Sequence, residues 1–212
     1  MDALRVYSEK QENQIARSPQ TISTRKATSN DVASIYKIAC SVGTKTKKSQ
    51  AGFLMDDYAA KPKHYQKFFF ERLLELDHFY IAEGHQALGF LMAYTKDQWL
   101  KYNPTWIEDI NWRPDFNMKK TDNFVVIDKT AILSNLTGKG IGSLLYKQLI
   151  KDLKAKGIQH IFAETIISPV PNFASLAFRE KQKYTLAGMR YEEYNGTMYT
   201  DLIYYKPVEL MM

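Results

Sequence analysis

A glycine-rich turn between an apolar strand and an amphipathic helix constrains this chain more than any other feature. Residues 136–143, which we call the glycine turn, carry Gly138, Gly140 and Gly142 at alternate positions, with Lys139 between the first two. Glycines at this spacing allow a sharp change of chain direction and let several backbone N–H groups converge. These donors come at the beginning of a helix, where the macrodipole adds positive potential. The glycine turn is therefore predicted to bind phosphate groups.

The segments on either side of the glycine turn predict a βαβ unit. Apolar runs over residues 124–133 and 158–167 are typical of buried strands. Between them an amphipathic helix is predicted over residues 142–156, with Gly157 as the residue that ends it. Strands joined through a helix in this way are parallel and are covered on both faces of their sheet.

The remaining pattern adds strands and helices before and after this unit. The predicted order along the chain is β-α-α-β-β-β-α-β-α-β-β, in which Asn172 is the N-cap of the last helix and Asn195-Gly196 marks the closing hairpin. This order predicts the α/β class, with a central mixed sheet of about seven strands covered by about four helices.

Residues 98–123 differ from the rest of the chain because they show no clean periodicity. They contain all three tryptophans, Trp99, Trp106 and Trp112. Long irregular segments in compact domains are usually functional or disordered, and such a content of aromatic residues argues against disorder. We therefore expect an ordered flap.

Composition is that of a single globular domain. The chain has 212 residues, of which 45% are hydrophobic, so it can bury about 70% of its unfolded surface. Residues 1–20 are polar and aperiodic and are predicted to be a mobile tail, which leaves residues 21–212 as one domain. The single cysteine, Cys40, excludes a disulfide framework. With no secretory signal and no membrane-spanning apolar run, we expect a cytoplasmic protein without a membrane partner.

The net charge of +6 is spread along the chain and suits an anionic ligand. A nucleic-acid-binding protein would gather its basic residues on one face, interleaved with aromatics, so no nucleic-acid partner is expected. The four histidines have no metal-ligand spacing, and no metal site is expected.

Two common phosphate-binding motifs do not fit the glycine turn. A P-loop has Lys-Ser/Thr directly after its last glycine, whereas Ile141 follows Gly140. The dinucleotide fingerprint needs a third glycine where Ser143 stands. Another class of phosphate ligand is therefore required.

The glycine turn resembles the signature [Gln/Arg]-x-x-Gly-x-[Gly/Ala] of the GNAT superfamily of N-acyltransferases. Gly140 and Gly142 match its glycines, while Thr137 stands where Gln or Arg is usual. Residues 172–178 resemble the family's N-x-x-[Ala/Ser]-x-x-[Leu/Phe] helix. The resemblance covers residues 22–206 by element order and residues 122–206 by motif.

This resemblance implies acetyl-CoA as co-substrate, with its pantetheine arm in a gap between two splayed strands. Backbone groups at the end of the strand before the glycine turn would bind the amides of the arm. The glycine turn would hold the diphosphate, and Asn172 would lie beside the arm. The residues implied at the coenzyme A site are Ala131, Ile132, Leu133, Thr137, Gly138, Lys139, Gly140, Ile141, Gly142, Ser143, Asn172, Phe178 and Arg179.

Two carboxylates interrupt the apolar strands, Asp128 and Glu164. Burial raises the pKa of a carboxylate, which suits a general base that works near neutrality. The alternatives are a ligand for the substrate amine, a residue at a strand end, or an ion pair such as Asp128 with Lys129.

The general acid is less defined. The tyrosine that commonly follows the [Leu/Phe] position of the family's last helix is Arg179 here, which cannot donate a proton readily but could stabilise a thiolate or bind a phosphate of coenzyme A. Tyr184 is the tyrosine put forward instead, with Tyr191, Tyr199, Tyr204 and water as alternatives.

The predicted function is direct transfer of an acetyl group from acetyl-CoA to a primary amine of a small molecule or peptide, in a ternary complex. Trp99, Trp106 and Trp112 are predicted to contact the amine through cation–π or stacking interactions. The alternative is an acyl-CoA-binding regulatory module that has lost turnover, which the departures at Thr137, Arg179 and Lys183-Tyr184 motivate. The pattern leaves a homodimer open.

Overall fold

The two apolar strands around the glycine turn lie at the centre of one mixed sheet. The structure, a computed structural model, describes residues 21–43 and 49–208, so the predicted tail at 1–20 lies outside the described residues. Within those ranges it contains eight strands and six α-helices. The strands are β1 (Ser23–Lys26), β2 (His78–Glu83), β3 (Ala87–Thr95), β4 (Ile110–Trp112), β5 (Phe124–Ile132), β6 (His160–Ser168), β7 (Thr185–Tyr194) and β8 (Thr197–Pro207). The helices are α1 (Val32–Ser41), α2 (Pro62–Glu75), α3 (Lys96–Tyr102), α4 (Trp106–Asp109), α5 (Ile141–Ala155) and α6 (Phe173–Lys181).

The strand order in the sheet is β1-β2-β3-β5-β6-β8-β7-β4. β5 and β6 are parallel, as predicted for the βαβ unit, and the neighbouring pairs β3–β5 and β6–β8 are antiparallel. The predicted class, a mixed α/β sheet, is confirmed. No helix within residues 21–43 and 49–208 is long and apolar enough to cross a bilayer.

β5 is apolar throughout its first half because it is buried on both faces. Phe124 and Val126 belong to the core on one side of the sheet, whereas Val125 and Ile127 belong to the core on the other side. Side chains alternate between the two faces of a strand, so a run of apolar residues supplies both cores at once.

The ends of the later elements follow local sequence signals. α5 ends in a Schellman motif, in which Gly157 has φ 68° and its N–H donates to the carbonyl of Lys154, while the N–H of Ile158 donates to that of Leu153. Asn195 and Gly196 both have positive φ, as a two-residue hairpin requires.

The predicted flap at residues 98–123 is instead part of the fold. It contains the end of α3, all of α4, and the edge strand β4, which pairs with β7 from Ile110 opposite Arg190 to Trp112 opposite Gly188. These elements are too short to show periodicity in the sequence, and β4 depends on a partner strand more than 70 residues away. This segment accounts for the additional strand and two additional helices.

Candidate active site

A gap opens between β5 and β6 in the middle of the sheet. The two strands pair from Phe124 opposite His160 to Ile127 opposite Ala163, and each then continues with its other neighbour. The register of β5 against β3 shifts at Asp128, which forms a β-bulge there. The splayed strands expected from the family resemblance are therefore present. Between them the edge of β5 can offer backbone N–H and C=O groups to an extended ligand.

A cavity of about 650 Å³ extends from this gap to the glycine turn, a size typical of small-molecule sites. Leu133 and Lys139, which were implied by the resemblance, do not line it; the N–H of Leu133 donates to the carbonyl of Leu88, and Lys139 is exposed. The implied residues that do line it are Ala131, Ile132, Thr137, Gly138, Gly140, Ile141, Gly142, Ser143, Asn172, Phe178 and Arg179.

The glycine turn has the geometry of an anion site. Gly138 and Gly140 both have φ +85°, and a Cβ at either position would meet nothing within 4 Å, so both face open space. Gly142 is packed closely instead, because a Cβ there would lie 3.3 Å from the Phe178 ring. The N–H groups of the first turn of α5, residues 141–143, have no acceptor within their own helix and are available to an anion.

Asn172 lines the cavity, but its side chain is already engaged. Its Nδ2 donates to the carbonyl of Phe53 at 3.0 Å, and its Oδ1 accepts from the N–H of Ser175 at 3.2 Å. The amide thus caps α6 and holds the segment around Phe53 against the cavity. Its predicted place beside the pantetheine arm stays a prediction.

Glu164 lies where the gap begins and lines the cavity. Its Oε1 accepts hydrogen bonds from Nε1 of Trp106 at 2.8 Å and from Nη1 of Arg190 at 3.0 Å, and its side chain is 21% exposed. Burial raises the pKa of Glu164, although Arg190 and Trp106 each favour its ionised form. A carboxylate with one oxygen held and a raised pKa has the properties of a general base.

Asp128 also lines the cavity, at the bulge of β5. Its carboxylate pairs with Nζ of Lys129 at 2.9 Å, the ion pair that the sequence offered as an alternative to a catalytic role. Burial opposes the charge of Lys129, but Asp128 and Asp56 outweigh it and raise the pKa of Lys129. Lys129 contacts both oxygens of Asp128, whereas the described bonds of the Glu164 carboxylate are to Oε1, which favours Glu164 as the base.

The structure adds acidic residues from the closing hairpin that the sequence analysis missed. Arg190 of β7 bonds both Glu164 and Glu192, and Asp201 of β8 stands directly opposite Arg190 in the strand register. Asp201 is only 2% exposed; burial, followed by the charges of Glu164 and Glu192, raises its pKa to about 8. A signal existed, because Asp201 shares its alternation phase in β8 with buried apolar residues: Tyr199, Ile203 and Tyr205.

Tyr184, the predicted acid, does not line the cavity, which corrects that expectation. It is 8% exposed, its hydroxyl is buried, and burial raises its pKa well above the usual value. Tyr146 of α5 lines the cavity instead, and its hydroxyl accepts a hydrogen bond from Nη1 of Arg179. Arg179 is 5% exposed and its described partners are all neutral, including the hydroxyl of Thr165 at 3.4 Å. The arrangement is a buried cation facing the cavity beside a phenol.

The three tryptophans form part of the core and do not share one role. Trp106 is fully buried behind Glu164, and Trp112 donates to the carbonyl of Ile107, so neither is placed to contact a ligand directly. Trp99 does line the cavity. The edge-to-face packing of Trp106 with both other rings explains their burial.

Among the described residues, no group of three or more histidine, cysteine, aspartate or glutamate side chains could hold a metal ion.

The comparisons with known proteins agree with this geometry. The family model described as Acetyltransferase (GNAT) family matches residues 47–184 of the 212-residue chain. The chain therefore belongs to the GNAT family of acetyltransferases. A search of curated proteins finds no matching relative.

Solved structures of N-acetyltransferases share the fold. PaiA N-acetyltransferase from Thermoplasma acidophilum, in complex with coenzyme A, aligns with a TM-score of 0.59 at 16% identity, covering 88% of this chain and 99% of that one. The ribosomal-protein-S18-alanine N-acetyltransferase from Escherichia coli aligns with a TM-score of 0.56 at 13% identity, covering 91% and 97%. A polyamine N-acetyltransferase from Drosophila melanogaster aligns with a TM-score of 0.59 at 9% identity, covering 88% and 100%.

Proposed function

We propose that this protein transfers an acetyl group from acetyl-CoA directly to a primary amine of a small molecule or peptide, in a ternary complex. The observation that carries the proposal is the cavity that joins the glycine turn to Glu164 through the gap between β5 and β6. Membership of the GNAT family supports acetyl transfer, and the coenzyme A in the similar archaeal structure supports the donor.

The residues present fit coenzyme A. Gly138 and Gly140 leave open space beside the first turn of α5, where the free N–H groups of residues 141–143 would hold the diphosphate. The gap-facing edge of β5 near Ala131 and Ile132 would hold the pantetheine arm. When bound, acetyl-CoA supplies an acetyl thioester to the site.

Glu164 acts as the general base in this proposal. Trp106 and Arg190 fix its orientation through Oε1, and the rest of the carboxylate faces the cavity and accepts the proton of the amine. Because its pKa is raised, the proton affinity of Glu164 is closer to that of an amine than the proton affinity of an ordinary glutamate is.

Arg179 and Tyr146 act on the sulfur side. A buried guanidinium whose partners are neutral stabilises negative charge that develops on the departing thiolate. It also donates to the hydroxyl oxygen of Tyr146, which leaves the hydrogen of that phenol available to the sulfur. The pair thereby takes the role for which the sequence analysis put forward a single tyrosine.

Glu164→Gln tests this assignment. We expect kcat to fall about 100-fold or more, as for the loss of a general base, with acetyl-CoA affinity changed less than about twofold. The exposed Glu193→Gln is the matched control, and both variants are followed by thiol release over a panel of amines and by calorimetry. Wild-type binding of acetyl-CoA without thiol release from any amine would favour the regulatory module, and no binding at millimolar acetyl-CoA would exclude both functions.

A further inference from the structure

The end of the cavity nearest Glu164 carries more negative charge than the cations beside it neutralise. We call this region the acidic end. Two basic side chains belong to it, Arg190 and Lys129, and Lys129 is paired with its neighbour Asp128. The carboxylates of the acidic end, all of which line the cavity, are Asp56, Asp128, Glu164, Glu192 and Asp201.

Arg190 cannot receive a negatively charged group from a ligand. Its two terminal nitrogens already bond Glu164 and Glu192, and Asp201 stands opposite it on β8. Two carboxylates, Glu164 and Glu192, therefore share one guanidinium, and a third carboxyl group lies opposite it. An acceptor that brings a carboxylate of its own would meet repulsion here.

Asp201 is a buried carboxyl group with an unfilled hydrogen-bonding position. Its side chain lines the cavity, is 2% exposed, and has no described hydrogen-bond partner at Oδ2. Glu164 and Glu192 oppose the ionisation of this buried carboxyl group. An ammonium ligand between Asp201 and Glu192 would donate to both side chains and favour the ionised form of Asp201.

A further anionic group lies farther out along β7. Asp56 accepts a hydrogen bond from the hydroxyl of Tyr194 at 2.5 Å, which joins the segment before α2 to the end of β7. Glu192 and Tyr194 are two residues apart and lie on one face of the strand, with their Cα atoms about 7 Å apart. The carboxylates of Glu192 and Asp56 thus follow one another along β7, away from Glu164. The distance that they span is about the length of a short aliphatic chain.

We propose that the acceptor is a small aliphatic amine that carries a second ammonium group. The reacting amine faces Glu164, and the second ammonium is bound by Glu192 and Asp201 or, in a longer acceptor, by Asp56. The inference rests on the proposed acetyl transfer, in which the N–C bond forms as the C–S bond breaks. In that step the amine proton passes to Glu164, and the thiolate takes a proton from Tyr146.

Three acceptors of one chain length test the proposal: 1,4-diaminobutane, n-butylamine and 4-aminobutanoate. They differ in a terminal group that is positive, absent or negative. By thiol release with acetyl-CoA, we expect kcat/KM for the diamine to exceed that for butylamine at least about tenfold, with 4-aminobutanoate lowest. Equal values for the diamine and butylamine, or a preference for 4-aminobutanoate, would overturn the proposal.

Glu192→Gln connects the preference to the acidic end. This variant should lower kcat/KM for the diamine about tenfold more than for butylamine, while Glu193→Gln, on the opposite face of β7, changes neither. An equal loss for both amines in Glu192→Gln would count against the second ammonium site.

Calorimetry with the same three compounds, with and without coenzyme A, separates this inference from the proposed function. If no acceptor releases thiol but the diamine binds more tightly than butylamine and Glu192→Gln weakens it, the ammonium site stands and acetyl transfer does not. Binding of the diamine no tighter than that of butylamine would reject the site, whatever the outcome for coenzyme A.

Discussion

Trp106→Phe should move the pH dependence of the reaction without destroying the site. The substitution keeps an aromatic ring in the core but removes the indole N–H that donates to Glu164 Oε1 at 2.8 Å. This hydrogen bond lowers the pKa of Glu164 against the larger effect of burial. Its loss therefore raises the pKa further, so a higher pH is needed to obtain the ionised base.

The size of the shift follows from the strength of the bond. A hydrogen bond to a charged group contributes about 1.5–3 kcal/mol, and Arg190 still holds the same oxygen in the variant. The lower limit corresponds to about one pKa unit. We therefore expect the acid limb of kcat/KM to move about one unit to higher pH, with activity within about threefold of wild type above the limb.

Trp112→Phe is the matched control. Its indole donates to the carbonyl of Ile107 at 2.9 Å, and its ring packs against Trp106, but it does not bond Glu164. It should lower stability by about 1 kcal/mol and leave the acid limb in place. An equal shift of the limb in both variants, or no shift in Trp106→Phe, would refute the role of Trp106 as a positioning residue for the base.

Two further predictions concern the glycine turn and acid stability. Gly140→Ala should cost about 1–2 kcal/mol of stability because of its φ of +85°, and should weaken acetyl-CoA binding in calorimetry. Gly157→Ala, with φ +68° at the far end of α5, should cost a similar amount and leave binding unchanged; equal weakening in both would count against the phosphate site. Burial, followed by the charge of Lys156, lowers the pKa of His78 to about 4, and its Nε2 has no described partner that could accept a proton. The unfolded chain therefore binds a proton that the folded chain excludes, and urea unfolding should show about 3 kcal/mol lost between pH 6.5 and pH 4. His78→Asn should reduce that loss relative to the exposed His85→Asn, and an identical acid dependence in the two would contradict this origin.

The parts of the fold that the sequence predicted depend on short-range signals. The run over β5, the glycines before and after α5, and the Asn195-Gly196 turn each specify a backbone conformation within a few residues. Such signals survive in the sequence because φ preferences and side-chain alternation are local properties. The parallel arrangement of β5 and β6, and the position of the glycine turn, followed from them.

The flap prediction was wrong for the opposite reason. β4 has three residues and α4 has four, so neither carries a periodic pattern, and both exist because the sheet edge and the core accept them. Trp106 could be assigned to a ligand or to the core with equal ease until its distance to Glu164 was defined. A residue's type gives its chemistry, but burial and partners give its role.

The sequence by itself determined the central βαβ unit, the glycine turn at the beginning of α5 and the presence of a carboxylate at Glu164. Only the tertiary structure showed that Glu164 is held by Trp106 and that Asp128 is paired with Lys129. It also assembled Arg179 with Tyr146, and Arg190 with Glu192 and Asp201, from elements far apart in the chain. The physical reason is that electrostatic interactions depend on distances and burial across strands, which the order of residues along the chain does not record.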